Sequence, residues 1–345
     1  MHSGCMTNEQ HPIGTGFTAA STAEEVLKGI DLTGRNVIVT AGHSGIGLET
    51  TRALAGAGAS VLVGVRHPDG AAAALGGIDR VEVDRLDLAD PASVETFAAR
   101  YRASGRALHI LINNAGIMSP DLVRDSRGYE QQFATNHLGH FQLAQGLRPA
   151  LRAANGARVV AVSSRAHRVS DIRWNDPHFA QGYHEIVAYG QSKTATVLFA
   201  VELDRRWADD GIRGYALHPG GIVGTNLAPS LSEDDLRSTG YVDDAGRPII
   251  DPDRDMKTPQ QGAATSVFAA TSPLLADVGG VYLMNSDIAP LEESNVPAET
   301  DGPATGVKPY AVDPESAQRL WELSERLISP KAKGVNVSHR TGAQK

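Results

Sequence analysis

A tyrosine and a lysine stand four residues apart in Tyr189-Gly190-Gln191-Ser192-Lys193, inside a stretch of helical composition. On a helix that spacing puts the phenol and the ammonium on one face, one turn apart. A phenol titrates near ~10 alone, and a neighbouring cation stabilises phenolate and draws that value toward working pH. Such a pair can give a proton to a carbonyl oxygen or take one from an alcohol. A chain with 8 tyrosines can contain the pair by chance, so its surroundings have to carry the reading.

A second chemistry is written into Thr40-Ala41-Gly42-His43-Ser44-Gly45-Ile46-Gly47. The β-branched run Asn36-Val37-Ile38-Val39-Thr40 leads into this turn and a helical stretch follows. Strand, glycine turn and helix in that order suit a dinucleotide: small residues admit the pyrophosphate, and free N–H groups at the helix start hold its charge. A tight strand-to-helix connection without a ligand has the same composition. The next strand ends Val63-Gly64-Val65-Arg66, with no carboxylate to bond a free ribose 2′-hydroxyl. Arg66 offers a permanently charged planar fork for a 2′-phosphate, so NADP(H) is favoured over NAD(H). The bland alternative is a solvated surface arginine, and the turn itself contributes no Lys or Arg.

The elements that must position these residues follow from periodicity. Apolar runs at 36–40, 60–63, 80–83, 108–112, 158–162, 214–217 and 280–283 alternate with candidate helices near 45–57, 91–104, 128–153, 187–210 and 258–271. Strands apolar on both faces, each followed by a helix, predict an α/β fold: one doubly wound parallel sheet with helices on both faces. Residues 1–30 read as a polar arm with a short amphipathic piece at Ala23–Ile30. Residues 31–285 read as the catalytic domain, within which the Asp-, Pro- and Gly-rich segment 222–256 forms a substrate lid. Residues 286–345 read as an extension in which Leu320, Leu323 and Leu327 share one face of a helix at 314–328.

Composition excludes other classes. The chain has 345 residues, 41% of them hydrophobic and 21% charged, which supports a sizeable core. With 32 basic and 40 acidic residues its net charge is −8, the wrong sign for a protein that neutralises nucleic-acid phosphates. No apolar run approaches the ~18 residues of a membrane span, and the single Cys5 makes no internal disulfide, so a cytoplasmic location is expected. His137 and His140 stand three apart on a candidate helix with no third ligand nearby, so no metal is expected. Arg165, His167, Arg168, Arg173 and Trp174 read as flanking the substrate mouth rather than as a nucleic-acid patch. Glu233-Asp234-Asp235 reads as a solvated lid face.

In order along the chain, further motifs join the turn and the Tyr189–Lys193 pair. Asp87-Leu88 follows the third strand, Asn113-Asn114-Ala115-Gly116 closes the fourth, and Asn136 lies in the next helix. Ser163-Ser164 ends the fifth strand and His218-Pro219-Gly220-Gly221-Ile222 the sixth. From about Arg35 to Leu283 the chain resembles the short-chain dehydrogenase/reductase family, with its Rossmann-type sheet. The region Ala188 to Arg206, the Ser164-to-Tyr189 interval and the tail Ala317–Trp321 look most like its retinol-dehydrogenase-like and WW-domain-oxidoreductase-like branch.

The resemblance implies roles. Tyr189 is the general acid/base, Lys193 lowers its pKa and bonds the nicotinamide ribose, Ser164 bonds the substrate oxygen, and Asn136 positions a relay water behind Lys193. Ala41, Gly42, His43, Ser44, Gly45 and Ile46 hold the phosphates, while Asp87 and Leu88 meet the adenine. Asn113, Asn114, Ala115, Gly116, Pro219, Gly220, Ile222 and Thr225 complete the cofactor wall. Ala41 departs from the family by replacing the first glycine of the turn, and one extra residue separates Pro219-Gly220 from Thr225. Without the family, Ser164 reads as a strand-end cap and Asn136 as a buried helix amide. The expected activity is hydride transfer between nicotinamide and a small carbonyl or alcohol substrate. Epimerisation or dehydration through transient oxidation, or a non-catalytic NADP(H) sensor, are the alternatives. The family also implies a homodimer or homotetramer, with helix 187–210 offering its other face.

Overall fold

Side chains alternate along β1 (Asn36–Thr40): Val37 and Val39 join one core, and Ile38 joins the other. Buried residues also line β2 (Ser60–Val65), β4 (Ile110–Asn113), β5 (Ala157–Val162), β6 (Ile212–His218) and β7 (Val281–Met284), whereas the edge strand β3 (Val81–Arg85) packs only Val81 and Val83 against a core and turns Glu82 and Asp84 the other way. A strand apolar on both faces needs helices on both sides. The computed structural model describes residues 10–222, 227, 232–238, 240–298 and 305–329. It is a single eight-stranded sheet in the order β3-β2-β1-β4-β5-β6-β7-β8, where β8 (Asp287–Ile288) alone runs antiparallel to its neighbour. The doubly wound α/β fold expected from the alternation is the fold observed.

On one face lie α1 (Ala23–Val26), α2 (Gly45–Gly56) and α3 (Pro68–Leu75). On the other lie α4 (Pro91–Ala103), the short α5 (Gln131–Phe133), α6 (His140–Ala153) and α7 (Glu185–Trp207). Then come α8 (Glu233–Ser238), α9 (Pro259–Thr271), α10 (Pro309–Val312) and α11 (Pro314–Ile328). Starts are set locally: Asp90, Thr258 and Asp313 each cap a helix that has proline in its first turn. The helix read at 128–153 is interrupted by a π turn, Ala134–Gly139, between α5 and α6. A π turn has no signature in hydrophobic period. The short α3 and the two-residue β8 were also beyond periodicity.

The tail decides how α7 is buried. Trp321 of α11 meets Phe141 of α6 at 4.8 Å between ring centres, Phe199 of α7 at 6.1 Å and Trp207 of α7 at 5.6 Å. Seventeen residues of α7 are buried, from Ala188 to Trp207. The face of 187–210 nominated for self-association is therefore covered by α11 and by the segment after β5, and a homodimer or homotetramer would have to use other surfaces. The arm is also engaged, because the Gln10 side chain donates to the carbonyls of Tyr282 and Ala289 and accepts from Tyr282 N–H. The Asp287 carboxylate accepts from the N–H groups of Ile13, Gly14 and Thr15. Cys5, Thr225 and residues 330–345 lie outside the described residues, as do parts of the 222–256 and 285–312 segments. Among the described residues no helix is long and apolar enough to cross a membrane.

Truncating Trp321 to alanine removes one aromatic wall from three others. The expected loss is about 3–5 kcal/mol, measured by urea unfolding; a loss under about 1 kcal/mol would mean that α11 is not part of the core.

Candidate active site

The strand order reverses between β1 and β4, and the loops at the carboxyl ends of the strands part there, the usual ligand site of an open parallel sheet. A cleft of about 320 Å³ opens at that point. From the first turn Ala41, His43, Ser44, Gly45 and Ile46 line it. Arg66 comes from the end of β2, Asp87 and Leu88 from the end of β3, and Asn114, Ala115 and Gly116 from the end of β4. Ser164, Tyr189 and Lys193 form another wall, with Pro219, Gly220 and Ile222 beyond β6. Thus the residues nominated on separate elements come together.

Four nominated positions fall elsewhere. Gly42 faces inward: a Cβ there would stand 2.6 Å from Thr51 Oγ1. Its neighbour Ala41 carries the positive φ of the turn, +53°, in place of the glycine expected there. Asn113 and Asn136 are buried and do not line the cleft, and Thr225 is not described.

The pyrophosphate reading can be tested on the turn itself. Ser44 occupies the N-cap of α2 without a side-chain capping bond, which leaves the first N–H groups of the helix for a ligand. A Cβ on Gly47 would lie 2.5 Å from the Ala41 carbonyl oxygen and from Asn114 Nδ2, so only glycine lets turn and β4 loop close. His43 Nδ1 is buried without a hydrogen-bond partner, and burial, helped by the Arg66 charge, lowers the His43 pKa. These features fit a dinucleotide phosphate backbone, and Arg66 with His43 fit one further anionic group.

On the opposite wall, Lys193 is almost fully buried, and its Nζ donates to the Val162 carbonyl at 3.0 Å. Nζ lies 5.5 Å from the centre of the Tyr189 ring. Burial of the ammonium pulls the Lys193 pKa down to about 8. The two serines differ: Ser163 Oγ donates to the Lys193 carbonyl at 2.7 Å, whereas Ser164 Oγ, among the described residues, accepts the Ala166 N–H at 3.2 Å and has its own proton to donate. Ser164 thus serves as a local cap and still faces the cleft. Asn136 Nδ2 donates to Ser192 Oγ at 3.0 Å, and Ser192 Oγ donates to the Tyr189 carbonyl at 2.7 Å.

The stretch Arg165 to Trp174 is not an open basic rim. His167 is buried; its Nε2 accepts the Lys308 N–H, and its Nδ1 meets the Ser164 carbonyl at 2.7 Å. Arg168 pairs with Glu292, Arg173 pairs with Asp176, and Arg319 lies 4.2 Å over the Trp174 ring. Arg165 bonds Tyr241 and Asp255, and Asp255 also bonds His218 at 2.7 Å, which ties the segment after β6 to the end of that strand. In the same segment Asp234 is exposed and pairs with Arg237. Sequence reasoning did not nominate Gly47, Ile117, Thr135 or Leu227, which also line the cleft, or Thr40, whose hydroxyl bonds the β4 loop. Gly47 and Thr40 bracket the turn that was read, so their positions were available as a signal.

The unfolded chain keeps a lysine protonated up to about 10.4, while folded Lys193 releases its proton near 8. Between those values the unfolded state binds more protons, so this group makes stability rise with pH. Without cofactor, Lys193→Met is expected to be more stable than wild type at pH 7 by about 1 kcal/mol. That advantage should shrink toward pH 10. Urea unfolding across this pH range checks both signs.

Comparison with known proteins agrees with this architecture. A family model described as short chain dehydrogenase matches residues 35–236. A Streptomyces lividans protein named "Probable oxidoreductase" is 47% identical over 307 residues, covering 87% of this chain and 99% of its own. The WW domain-containing oxidoreductase of Danio rerio is 36% identical over 324 residues, 90% of this chain and 72% of that protein. Among solved structures, the Pseudomonas aeruginosa RhlG/NADP active-site complex aligns with a TM-score of 0.58 at 25% identity, covering 73% of this chain and 95% of that one. The chain belongs to the short-chain dehydrogenase/reductase family and is an NAD(P)-dependent oxidoreductase of the branch that includes the WW-domain oxidoreductases.

Proposed function

We propose that the protein moves hydride between NADP(H) and a small carbonyl or alcohol substrate, with Tyr189 as general acid/base. The observation that carries this reading is the buried Lys193 ammonium beside the Tyr189 ring at the cleft wall, with the Ser164 hydroxyl on the same wall. Nicotinamide, when bound, supplies or accepts the hydride. Tyr189 gives its proton to the substrate oxygen as negative charge develops, and Ser164 donates a hydrogen bond to that oxygen. Lys193 keeps the phenol acidic through its charge. Asn136 braces the helix turn carrying Tyr189 through Ser192. In the oxidative direction Tyr189 takes the alcohol proton.

The preference for NADP(H) rests on Arg66. It lines the cleft at the end of β2, where no carboxylate stands to accept from a ribose 2′-hydroxyl, and His43 lies beside it. The solved Pseudomonas aeruginosa relative is an NADP active-site complex, which supports the same choice. The single cysteine and the acidic balance support a cytoplasmic enzyme without nucleic-acid partners.

Absorbance assays with NADPH and NADH against panels of aldehydes, ketones and alcohols test the reading. Tyr189→Phe is expected to lower kcat/KM by roughly 10³-fold while NADPH affinity stays within about threefold. Full activity in this variant would overturn the assignment. Arg66→Ala should weaken NADPH binding about tenfold and leave NADH binding nearly unchanged. A native preference for NADH would remove the Arg66 argument.

A further inference from the structure

His140 was weighed in the sequence only as a metal ligand, yet it is a connector. The π turn Ala134–Gly139 changes the backbone pairing at its end, and the His140 N–H goes to the His137 carbonyl. The Asn136 carbonyl is met instead by the imidazole, with His140 Nδ1 at 3.0 Å. A carbonyl only accepts, so Nδ1 carries the proton and Nε2 is an acceptor. The donor to Nε2 is the Thr40 hydroxyl, at 3.0 Å; the other acceptor near that hydroxyl, the Ile112 carbonyl, is 3.5 Å away. Thr40 Oγ1 in turn accepts the N–H groups of Asn114 and Ala115, both at 2.9 Å. Thr40, Asn136 and His140 are all buried.

Every donor and acceptor in this chain therefore has a fixed direction, from the Asn114 and Ala115 N–H groups through Thr40 and His140 to the Asn136 carbonyl. One end is the β4 loop that lines the cofactor cleft. The other is the residue that braces Tyr189 through Ser192. We propose that His140 is a positioning residue that locks the cofactor loop and the Asn136 carbonyl into one rigid unit beneath the cleft. It touches no reacting atom, and its effect on turnover rests on the proton-transfer reading above. Burial keeps the imidazole neutral, with a pKa lowered to about 4; the nearby Lys193 charge adds to the lowering and the bond to Asn136 opposes it.

Two experiments test the proposal. In the cofactor-free protein with ¹⁵N-labelled histidine, the NMR signal lost in His140→Asn should report a neutral ring protonated at Nδ1 at pH 7. A ring protonated at Nε2, or one titrating near the usual ~6.5, would overturn the inference whatever the reaction proves to be. The second experiment is kinetic and uses the best carbonyl substrate found with wild type. His140→Asn keeps a donor near the Nδ1 position and should retain kcat within about fivefold. His140→Leu should lose about 10- to 100-fold in kcat while KM for the carbonyl moves less than about threefold. Thr40→Val, a near-isosteric change in a strand, breaks the same chain from its other end and covers the case in which His140→Leu does not fold. It should weaken NADPH binding about tenfold, read by cofactor fluorescence. Wild-type kcat in folded His140→Leu together with wild-type NADPH affinity in Thr40→Val would sink the proposal. With Tyr189→Phe measured alongside and inactive, that outcome would leave the proton-transfer reading standing.

Discussion

A protonated amine held in a nearly dry interior is the constraint around which the molecule is arranged. Among the described residues Lys193 Nζ meets one carbonyl, that of Val162, and burial pulls the lysine pKa down to about 8. An ammonium in that position is unfavourable for folding and useful only if something at the cleft draws on its charge. Tyr189, one turn away on the same helix, is what stands there. The surroundings of Lys193 follow from keeping that helix in place and dry.

Dryness is supplied from far along the chain. The sheet covers one side of α7, the segment after β5 covers another, and α5, the π turn, α10 and α11 pack on the remainder, with Trp321 of α11 set among Phe141, Phe199 and Trp207. The tail helix α11 is therefore part of the site's architecture although, among the described residues, it contributes none to the cleft. The His137–Ser324 hydrogen bond, at 2.7 Å, fastens the π turn to the same tail helix. On the cofactor side, the β4 loop is held by Thr40, which also ends β1. Two walls of the cleft are thus tied to the sheet and to each other by buried, directional bonds, which lose far more when broken than exposed ones.

Much of this was legible in the residues. The seven parallel strands follow from local pattern, and the cleft brings together residues of the glycine turn, Tyr189, Lys193 and both Ser163 and Ser164. What failed to show was of two kinds. The π turn, α3 and β8 have too little sequence to generate a period. The stretch Arg165 to Trp174 has a charge pattern that reads as a binding rim, but its partners Glu292, Lys308 and Arg319 come from more than 120 residues away and absorb it.

The sequence by itself determined whatever depends on neighbours along the chain: strand and helix periods, helix caps, the spacing that puts a phenol and an ammonium on one face, and small residues where phosphate must approach. These depend on backbone geometry within a turn or two of the residue concerned. Only the tertiary structure decided which polar group meets which. His140 faces Thr40 across 100 positions, and that contact turns an apparent ligand into a connector. The face of α7 that looked available for another subunit is taken by α11. Such pairings depend on how layers pack in space, and the residue types permit many of them equally well.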